Sequence, residues 1–195
     1  MVIDKENKMD INKILAKKEL EVIGGKPKIF RYLDEKEERS IDILSSINRP
    51  YIGIISCATI GLSGYDIGMV SENKKLGLEL LGACDVKEES FPNILATTAF
   101  KIIERDNCGY GHIISNVIEQ YISDCEMKHI YLMNPFLWDR FNSIEFEDRK
   151  VTWLLIVPIS NEEKNYAVSN GGNALETKFE EADIDIFNIR RKSIV

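Results

Sequence analysis

The residues with the clearest catalytic potential are a cysteine, a histidine and a glutamate. Cys108 and His112 share one glycine-containing loop, and a thiol beside an imidazole becomes a nucleophile when the base promotes its thiolate. Glu79 could supply a carboxylate of perturbed pKa, although its place in a predicted strand favours an outward-facing side chain. We favour an ordinary loop histidine beside a half-buried cysteine. A small hydrolase or transferase is the alternative, and it requires the three side chains to converge in one pocket.

The loop Gly61–Gly68, with sequence GLSGYDIG, places a serine in a second possible catalytic motif. It resembles the nucleophile elbow G-x-S-x-G, but Tyr65 occupies the position of the last glycine. No strand-to-helix transition follows Ser63 either. Three glycines within eight residues indicate backbone that needs positive φ or a close approach. We therefore predict a shaped loop and no serine nucleophile.

The sequence predicts no metal site and no cofactor. Its four cysteines are far apart and never form C-x-x-C, which favours reduced thiols over a zinc site or a disulfide. These are Cys57, Cys84, Cys108 and Cys125. Asp183 and Asp185 fall on one face of an edge strand predicted over Asp183–Phe187, but no third Mg²⁺ ligand is evident. The loop Asn107–His112 lacks the G-x-x-x-x-G-K-[ST] pattern that holds nucleotide phosphates.

The charge balance argues against direct nucleic-acid binding. Lys and Arg number 25 against 32 Asp and Glu, a formal net charge of −7, whereas binding to a phosphate backbone needs a basic surface. An acidic protein is compatible with a basic protein partner. The start of the chain, MVIDKENKMD, lacks the apolar core of a signal peptide, and no apolar run approaches the ~20 residues that span a bilayer. We therefore expect a cytoplasmic protein without membrane contact.

The stretch Val151–Ile159 is the one around which we expect the fold to be organised. Its β-branched and aromatic residues predict a strand buried on both faces. Pro158 is expected to end the hydrogen-bonded ladder, because it has no N–H to donate. Ser160 and Glu163 have the spacing of a capping box, which predicts a following helix that Gly171 ends.

The other elements are predicted from periodicity and turn residues. Helices are expected after Asp10, after Ser90, and over Ala174–Ala182 with Asn173 as its cap. The expected strands are Lys28–Leu33, Ile41–Ser45, Tyr51–Thr59, Gly77–Cys84 and His129–Met133. Together these patterns predict a single α/β (α+β) domain over residues 1–195, with residues 1–9 frayed. Its sheet is expected to be mixed, largely antiparallel and of about six strands, packed with helices.

The segment Asn134–Phe141, NPFLWDRF, concentrates aromatic residues. We predict that Phe136, Trp138 and Phe141 close one end of the core. Anchoring of a partner protein is the alternative, because exposed aromatic side chains are enriched in binding hot spots.

The order of these motifs resembles the suppressor of fused family, from about Gly24 to Ser193. The motifs that carry the resemblance are Gly25-Lys26-Pro27, IDIL, ATIGLSGYDIG, LELLGA, the Phe91-Pro92 helix start, NPFLW, LLIVPISNEEKNYA and the closing DIDIFNIRRKSIV. The resemblance implies a suppressor-of-fused-like fold and binding rather than catalysis. Animal members restrain a transcription factor by holding one of its peptides, partly by strand addition. We expect this chain to be the single-domain form without their second, peptide-clamping domain, so that this mechanism does not carry over.

The resemblance to stand-alone bacterial members implies a more specific role. Those members are associated with polymorphic toxin systems as immunity proteins or antitoxins, and some accompany LXG-type toxins that end in nuclease domains. This implies an antitoxin that binds and neutralises a cognate toxin, with a basic nuclease domain as the expected partner. A regulatory module that captures a non-toxin peptide is the alternative within the same family.

Acidic residues are the candidates for the partner-binding face, because an acidic surface can occupy a basic nuclease groove. Four segments are rich in them: Asp34–Glu38, Glu145–Asp148, Glu162–Glu163 and Glu180–Asp185. The residues that we select are Glu145, Glu147, Asp148, Glu162 and Glu163. Addition of a toxin strand to an outer strand of the sheet is a second possible route.

Overall fold

A mixed β-sheet of nine strands forms the centre of the molecule, in a computed structural model that describes residues 5–105 and 107–195. The strands are β1 (Lys28–Leu33), β2 (Ser40–Ile47), β3 (Ile54–Ile60), β4 (Val70–Ser71), β5 (Lys74–Asp85), β6 (Ile113–Ile114), β7 (Met127–Met133), β8 (Ile144–Glu145) and β9 (Arg149–Ser160). The main order is β1-β2-β3-β5-β9-β7-β6, with β4 beside β5 and β8 beside β9. Among the strands of the described residues, β5 and β9 alone pair in parallel. The mixed, largely antiparallel α/β sheet is therefore confirmed, and the additional strands β4, β6 and β8 have two residues each.

Helices cover both faces of the sheet. They are α1 (Lys5–Ile23), α2 (Phe91–Ile103), α3 (Asn161–Asn170) and α4 (Gly172–Glu181). Phe91 of α2 belongs to the apolar core on one face, whereas Leu15 of α1 and Leu175 of α4 belong to the core on the other. The sheet therefore separates two cores, and a side chain's position along a strand decides which core it enters.

Strand β9 lies between β5 and β7 and is buried on both faces, as predicted. Its neighbouring residues Trp153 and Leu154 enter opposite cores. The prediction that Pro158 ends the ladder is wrong, because Pro158 pairs with Ile130 of β7 and the strand continues beyond it. The carbonyl oxygen of Pro158 accepts a hydrogen bond from Arg191 at 2.9 Å. The backbone nitrogen and the carbonyl of a strand residue point to the same side of the strand. Because the Pro158 carbonyl faces Arg191, the Pro158 nitrogen faces that side as well, and the pairing with β7 needs no N–H from the proline.

The turn from β9 into α3 is confirmed in detail. The Ser160 hydroxyl accepts from the Glu163 backbone N–H, and the Glu163 carboxylate accepts from the Ser160 N–H, both at 3.0 Å. Gly171, with φ of 92°, ends α3 and also occupies the position before α4. Asn173 therefore lies inside α4 and does not cap it.

Two predictions near the ends of the chain are wrong. Helix α1 begins at Lys5, so Asp10 lies inside it and is not its cap, while residues 1–4 fall outside the described part of the chain. The segment Asp183–Phe187 forms turns instead of an edge strand. The reason is local: the Asp185 carboxylate accepts from the Phe187 N–H at 3.0 Å, and such side-chain bonds compete with strand pairing.

Candidate protein-binding site

The three residues of the hydrolase alternative do not meet. Cys108 is buried in the core on the α2 side, whereas Glu79 points from β5 to the opposite face, beside Trp153. His112 is exposed, and its Nδ1 accepts from the Gly109 N–H at 3.4 Å. Burial raises the pKa of the Cys108 thiol to about 11, which disfavours the thiolate that nucleophilic attack needs. These residues therefore do not form one catalytic centre.

Glu79 is fully buried, so the expectation of an outward-facing side chain is wrong. The β3–β5 ladder ends at the Ala58–Leu81 pair. Beyond this pair, the Thr59 hydroxyl forms the next hydrogen bonds between the two strands. This hydroxyl accepts from the Leu80 N–H at 2.8 Å and donates to Glu79 Oε2 at 2.6 Å. The carboxylate of Glu79 can be buried between apolar neighbours because groups beyond the end of the ladder donate hydrogen bonds to it.

The Glu79 carboxylate organises the shaped loop predicted from its glycines. Its Oε1 accepts from the Gly61 N–H, the Ser63 N–H and the Ser63 hydroxyl, at 2.8–3.1 Å. Burial raises the pKa of Glu79 to about 7. The cavity beside Ser63 has a volume of about 40 Å³, room for about one water molecule and not for a substrate. The carboxylate therefore serves the fold, and it engages the Ser63 hydroxyl as well.

A second carboxyl, Glu19 of α1, is buried close to Glu79. It accepts a hydrogen bond from Trp153 Nε1 at 3.1 Å, and its Oε2 has no partner among the described residues. Burial, and then the nearby Glu79 charge, raise the pKa of Glu19 well above its usual range. A neutral Glu19 beside an ionisable Glu79 avoids two adjacent buried negative charges.

Four of the five acidic residues selected from the sequence are exposed, and one is not. The exposed ones are Glu145, Glu147, Asp148 and Glu162. Glu163 is fully buried, where it completes the α3 cap and accepts from both terminal nitrogens of the Arg191 guanidinium, at 2.5 and 2.8 Å. Glu163 therefore holds the C-terminal segment against the domain and is not available to a partner.

The exposed four do not form one patch. Glu145–Asp148 precedes β9 and Glu162 follows it, so the length of the strand separates them by about 35 Å. The first group also lies among cations: Glu145 is 3.5 Å from Lys74 Nζ, and Asp148 is 2.7 Å from an Arg149 nitrogen. These carboxylates therefore lie on two separate surfaces, of which the one at Glu145–Asp148 is partly neutralised.

A groove of about 540 Å³ opens where α4, the segment after α4 and the segment after β7 come together. Its apolar lining includes Met133, Phe136, Leu137, Phe179, Ile184 and Phe187. Tyr51, expected in β3 but placed in the turn before it, also lines the groove and packs edge-on against Phe187, with ring centroids 5.9 Å apart. A mainly apolar concavity of this size is typical of binding sites.

The aromatic segment after β7 divides between the core and the groove. Trp138 and Phe141 are buried and pack edge-to-face at 6.0 Å between ring centroids, which confirms the core role predicted for them. Phe136 is 54% exposed and lines the groove. The core role predicted for Phe136 is therefore wrong, and partner anchoring stays a prediction for this residue, which the sequence did not distinguish from its neighbours.

Carboxylates are the charged groups that line the groove, and no Lys, Arg or His is among its described lining residues. Glu176 accepts hydrogen bonds from the hydroxyls of Tyr110 and Tyr131, each at 2.9 Å. Glu180 and Asp183 are exposed and stand at the groove's edge. They belong to the acidic segment Glu180–Asp185, so the sequence did contain a signal for this side of the site.

Within residues 5–105 and 107–195, no group of three or more His, Cys, Asp or Glu side chains could hold a metal ion. The four cysteines are free thiols, as predicted. No helix among these residues has the length and apolarity to cross a membrane.

Comparison of the sequence with known proteins gives one consistent result. The model of the family described as Suppressor of fused protein (SUFU) matches residues 37–192. A curated relative, Immunity protein YqcF of Bacillus subtilis (strain 168), is 39% identical over 186 residues, which covers 94% of this chain and 97% of that protein.

Two crystal structures share the fold. One is a putative SUFU homologue from Neisseria gonorrhoeae FA 1090, 18% identical with a TM-score of 0.71, covering 96% of this chain and 98% of that one. The other is Drosophila Suppressor of Fused, 13% identical with a TM-score of 0.65, covering 99% of this chain but 54% of that longer one. The α/β fold predicted from the sequence is the fold of these structures.

Proposed function

The chain belongs to the suppressor of fused family, and from this membership we propose that it is an immunity protein, which binds a cognate toxin and neutralises it. The observation that carries the proposal is the similarity, along nearly the whole of both chains, to the relative named Immunity protein YqcF. We place this activity in the cytoplasm, where an immunity protein meets a toxin made by the same cell.

The geometry favours binding over catalysis. The candidate nucleophile Cys108 lies apart from Glu79, and the cavity beside Ser63 is too small for a substrate. The groove beside Phe136, in contrast, leaves apolar surface exposed, as protein-contact sites do. We therefore propose that the toxin is neutralised by occlusion, without covalent chemistry and without a cofactor.

We further propose that the toxin is a nuclease, because acidic surface complements the basic substrate groove of such an enzyme. The net charge of −7 agrees with this pairing. Glu145, Glu147, Asp148 and Glu162 are candidate contacts, distributed over two separate patches. In this interpretation they add long-range attraction, and the apolar groove supplies the close contact.

A second candidate is a regulatory module that captures a peptide which is not part of a toxin. The groove favours this candidate as well, because a cavity of about 540 Å³ accommodates a few side chains of an extended or helical segment. The two candidates differ in the partner and not in the surface, so the gene beside this one distinguishes them.

Co-expression tests the proposal. The product of the adjacent gene would be induced in a naive bacterial host, with and without this protein, and growth and a co-purifying complex would be measured. We expect growth arrest without the protein, and rescue together with a stable complex in its presence. A harmless neighbour, or killing that this protein does not reduce, would refute the cognate-toxin proposal and leave the peptide-binding module as the better interpretation.

A further inference from the structure

The groove beside α4 combines an apolar floor with carboxylates that the fold leaves unpaired. Glu180 and Asp183 make no side-chain hydrogen bond or ion pair with any described residue. Other exposed acids do have a nearby cation, such as Asp66, whose carboxylate is 2.5 Å from Lys75 Nζ. The charge at the edge of the groove is therefore uncompensated within the described part of the chain.

From this composition we infer that the groove receives an amphipathic segment of the partner, whose apolar side chains enter the floor and whose Arg or Lys side chains meet Glu180 and Asp183. The inference rests on the proposed function, since the segment belongs to the cognate toxin. It adds the chemistry of the contact: an apolar anchor with flanking cations, and not a patch of phosphate-binding residues.

The floor suits apolar anchors for two reasons. Phe136 and Tyr51, 54% and 64% exposed, both line the groove, and aromatic side chains of this kind carry much of the energy of protein interfaces. Met133 lies in the floor, and its flexible thioether adapts to differently shaped side chains. The volume of about 540 Å³ admits a few side chains and excludes a folded domain.

The edge of the groove suits cations. Glu176 accepts hydrogen bonds from two tyrosine hydroxyls and is one of the acidic residues that line the groove. Glu180 and Asp183 extend that charge outward. A guanidinium or ammonium group of a partner is attracted there, because no cation of the described chain pairs with these carboxylates. A carboxylate of a partner is repelled there.

Charge reversal at the edge, in the co-expression experiment, tests the inference in the full chain. The double variant Glu180→Lys/Asp183→Lys would be compared with Glu89→Lys/Glu119→Lys, which makes the same change in net charge at exposed acids outside the groove. We expect the groove variant to lose rescue and to bind the toxin ~10–100-fold more weakly, because like charges now face each other. The control variant should rescue as the wild type does, and both should unfold at the wild-type urea concentration.

The outcomes separate the inference from the proposed function. Wild-type rescue together with full rescue by the groove variant would overturn the inference and leave the immunity role intact. Loss of rescue by both variants would also overturn it, since general charge and not the groove would then be responsible. Failure of the wild type itself to rescue would count against the immunity role.

A peptide probe tests the groove without the toxin. A labelled helical peptide with leucines along one face and arginines on the other would be titrated by fluorescence anisotropy, beside the same peptide with glutamate for arginine. We expect the arginine peptide to bind the wild type ~10-fold or more tightly than the groove variant, and the glutamate peptide not to bind. Equal affinity for both peptides, or a concentration-dependent dimer that the groove variant abolishes, would overturn the inference in favour of a non-selective cavity or a second copy of this chain.

Discussion

The buried carboxylates and the carboxylates of the groove differ in how completely the fold uses their oxygens. Glu79 accepts four hydrogen bonds, and Glu163 is held by a guanidinium and by its helix cap. Glu180 and Asp183 are exposed and have no such partners among the described residues. Since a saturated buried oxygen can recognise a partner only by losing its own bonds, the first pair serves the fold and the second is available for binding.

The largest effect should come from removing the cation that compensates Glu163. In Arg191→Leu the Glu163 carboxylate would stay buried without its ion-pair partner, and the Pro158 carbonyl would lose its donor. We expect a loss of about 3–5 kcal/mol in the free energy of unfolding, measured by urea denaturation at pH 7.

The neighbouring arginine is the matched control. Arg190 also forms two ion pairs, with Glu88 and Asp124, but its side chain is 46% exposed. Arg190→Leu should therefore lower the free energy of unfolding far less than Arg191→Leu, because solvent screens exposed ion pairs. Equal losses in the two variants would contradict the assignment of Glu163 to the fold, because burial would then not distinguish the two arginines.

The second effect is a dependence of stability on pH that comes from Glu19 and Glu79. Burial raises the pKa of both in the folded state, that of Glu79 from 4.5 to about 7, so the folded protein retains protons that the unfolded chain releases. Their contribution is fully present below the unfolded pKa and is lost as pH rises through the folded pKa. For Glu79, a pKa shift of this size corresponds to a loss of about 3 kcal/mol in the free energy of unfolding as the pH rises from 4.5 to about 7.

The variant Glu19→Gln tests this effect. The amide keeps an acceptor for Trp153 Nε1 and removes the titration. We expect the unfolding free energy of the wild type, followed by urea denaturation from pH 5 to 9, to fall with pH more steeply than that of the variant. Parallel pH profiles would show that Glu19 has an ordinary pKa in the folded state.

Much of the fold could be predicted from the sequence, because the signals were local. The strand Lys28–Leu33 and the Ser160–Glu163 capping box appear in the structure with the same residues. The predictions failed where a distant residue decides the outcome. Pro158 continues its strand because its carbonyl bonds to Arg191, 33 positions away, and Glu79 is buried because Thr59, 20 positions away, opens the ladder.

The candidate site was harder to predict for the same reason. Glu162 and Glu163 are adjacent and of one type, yet the first is exposed and the second is fully buried. The groove assembles Tyr51, Phe136 and Asp183 from three distant parts of the chain. Composition predicted an acidic protein, but which carboxylates are unpaired depends on tertiary contacts that no local pattern encodes.

The smallest effect on stability, and a large one on binding, should come from Phe136→Ala. Because its ring is 54% exposed, we expect its removal to change the unfolding free energy by less than about 0.5 kcal/mol, whereas Trp138→Ala, at a buried ring, should cost about 3–5 kcal/mol. An aromatic anchor at the centre of an interface is worth about 2 kcal/mol or more, so Phe136→Ala should weaken the complex with the toxin ~30-fold or more in calorimetric titration. A stable Phe136→Ala protein with unchanged affinity would show that the ring is exposed for no binding purpose, and the contact would then have to lie at the acidic patches flanking β9. A loss of affinity without a loss of stability would instead show that the groove acts in binding and not in folding. Variants of Glu79 or Glu163, in contrast, should affect binding only by first affecting the fold.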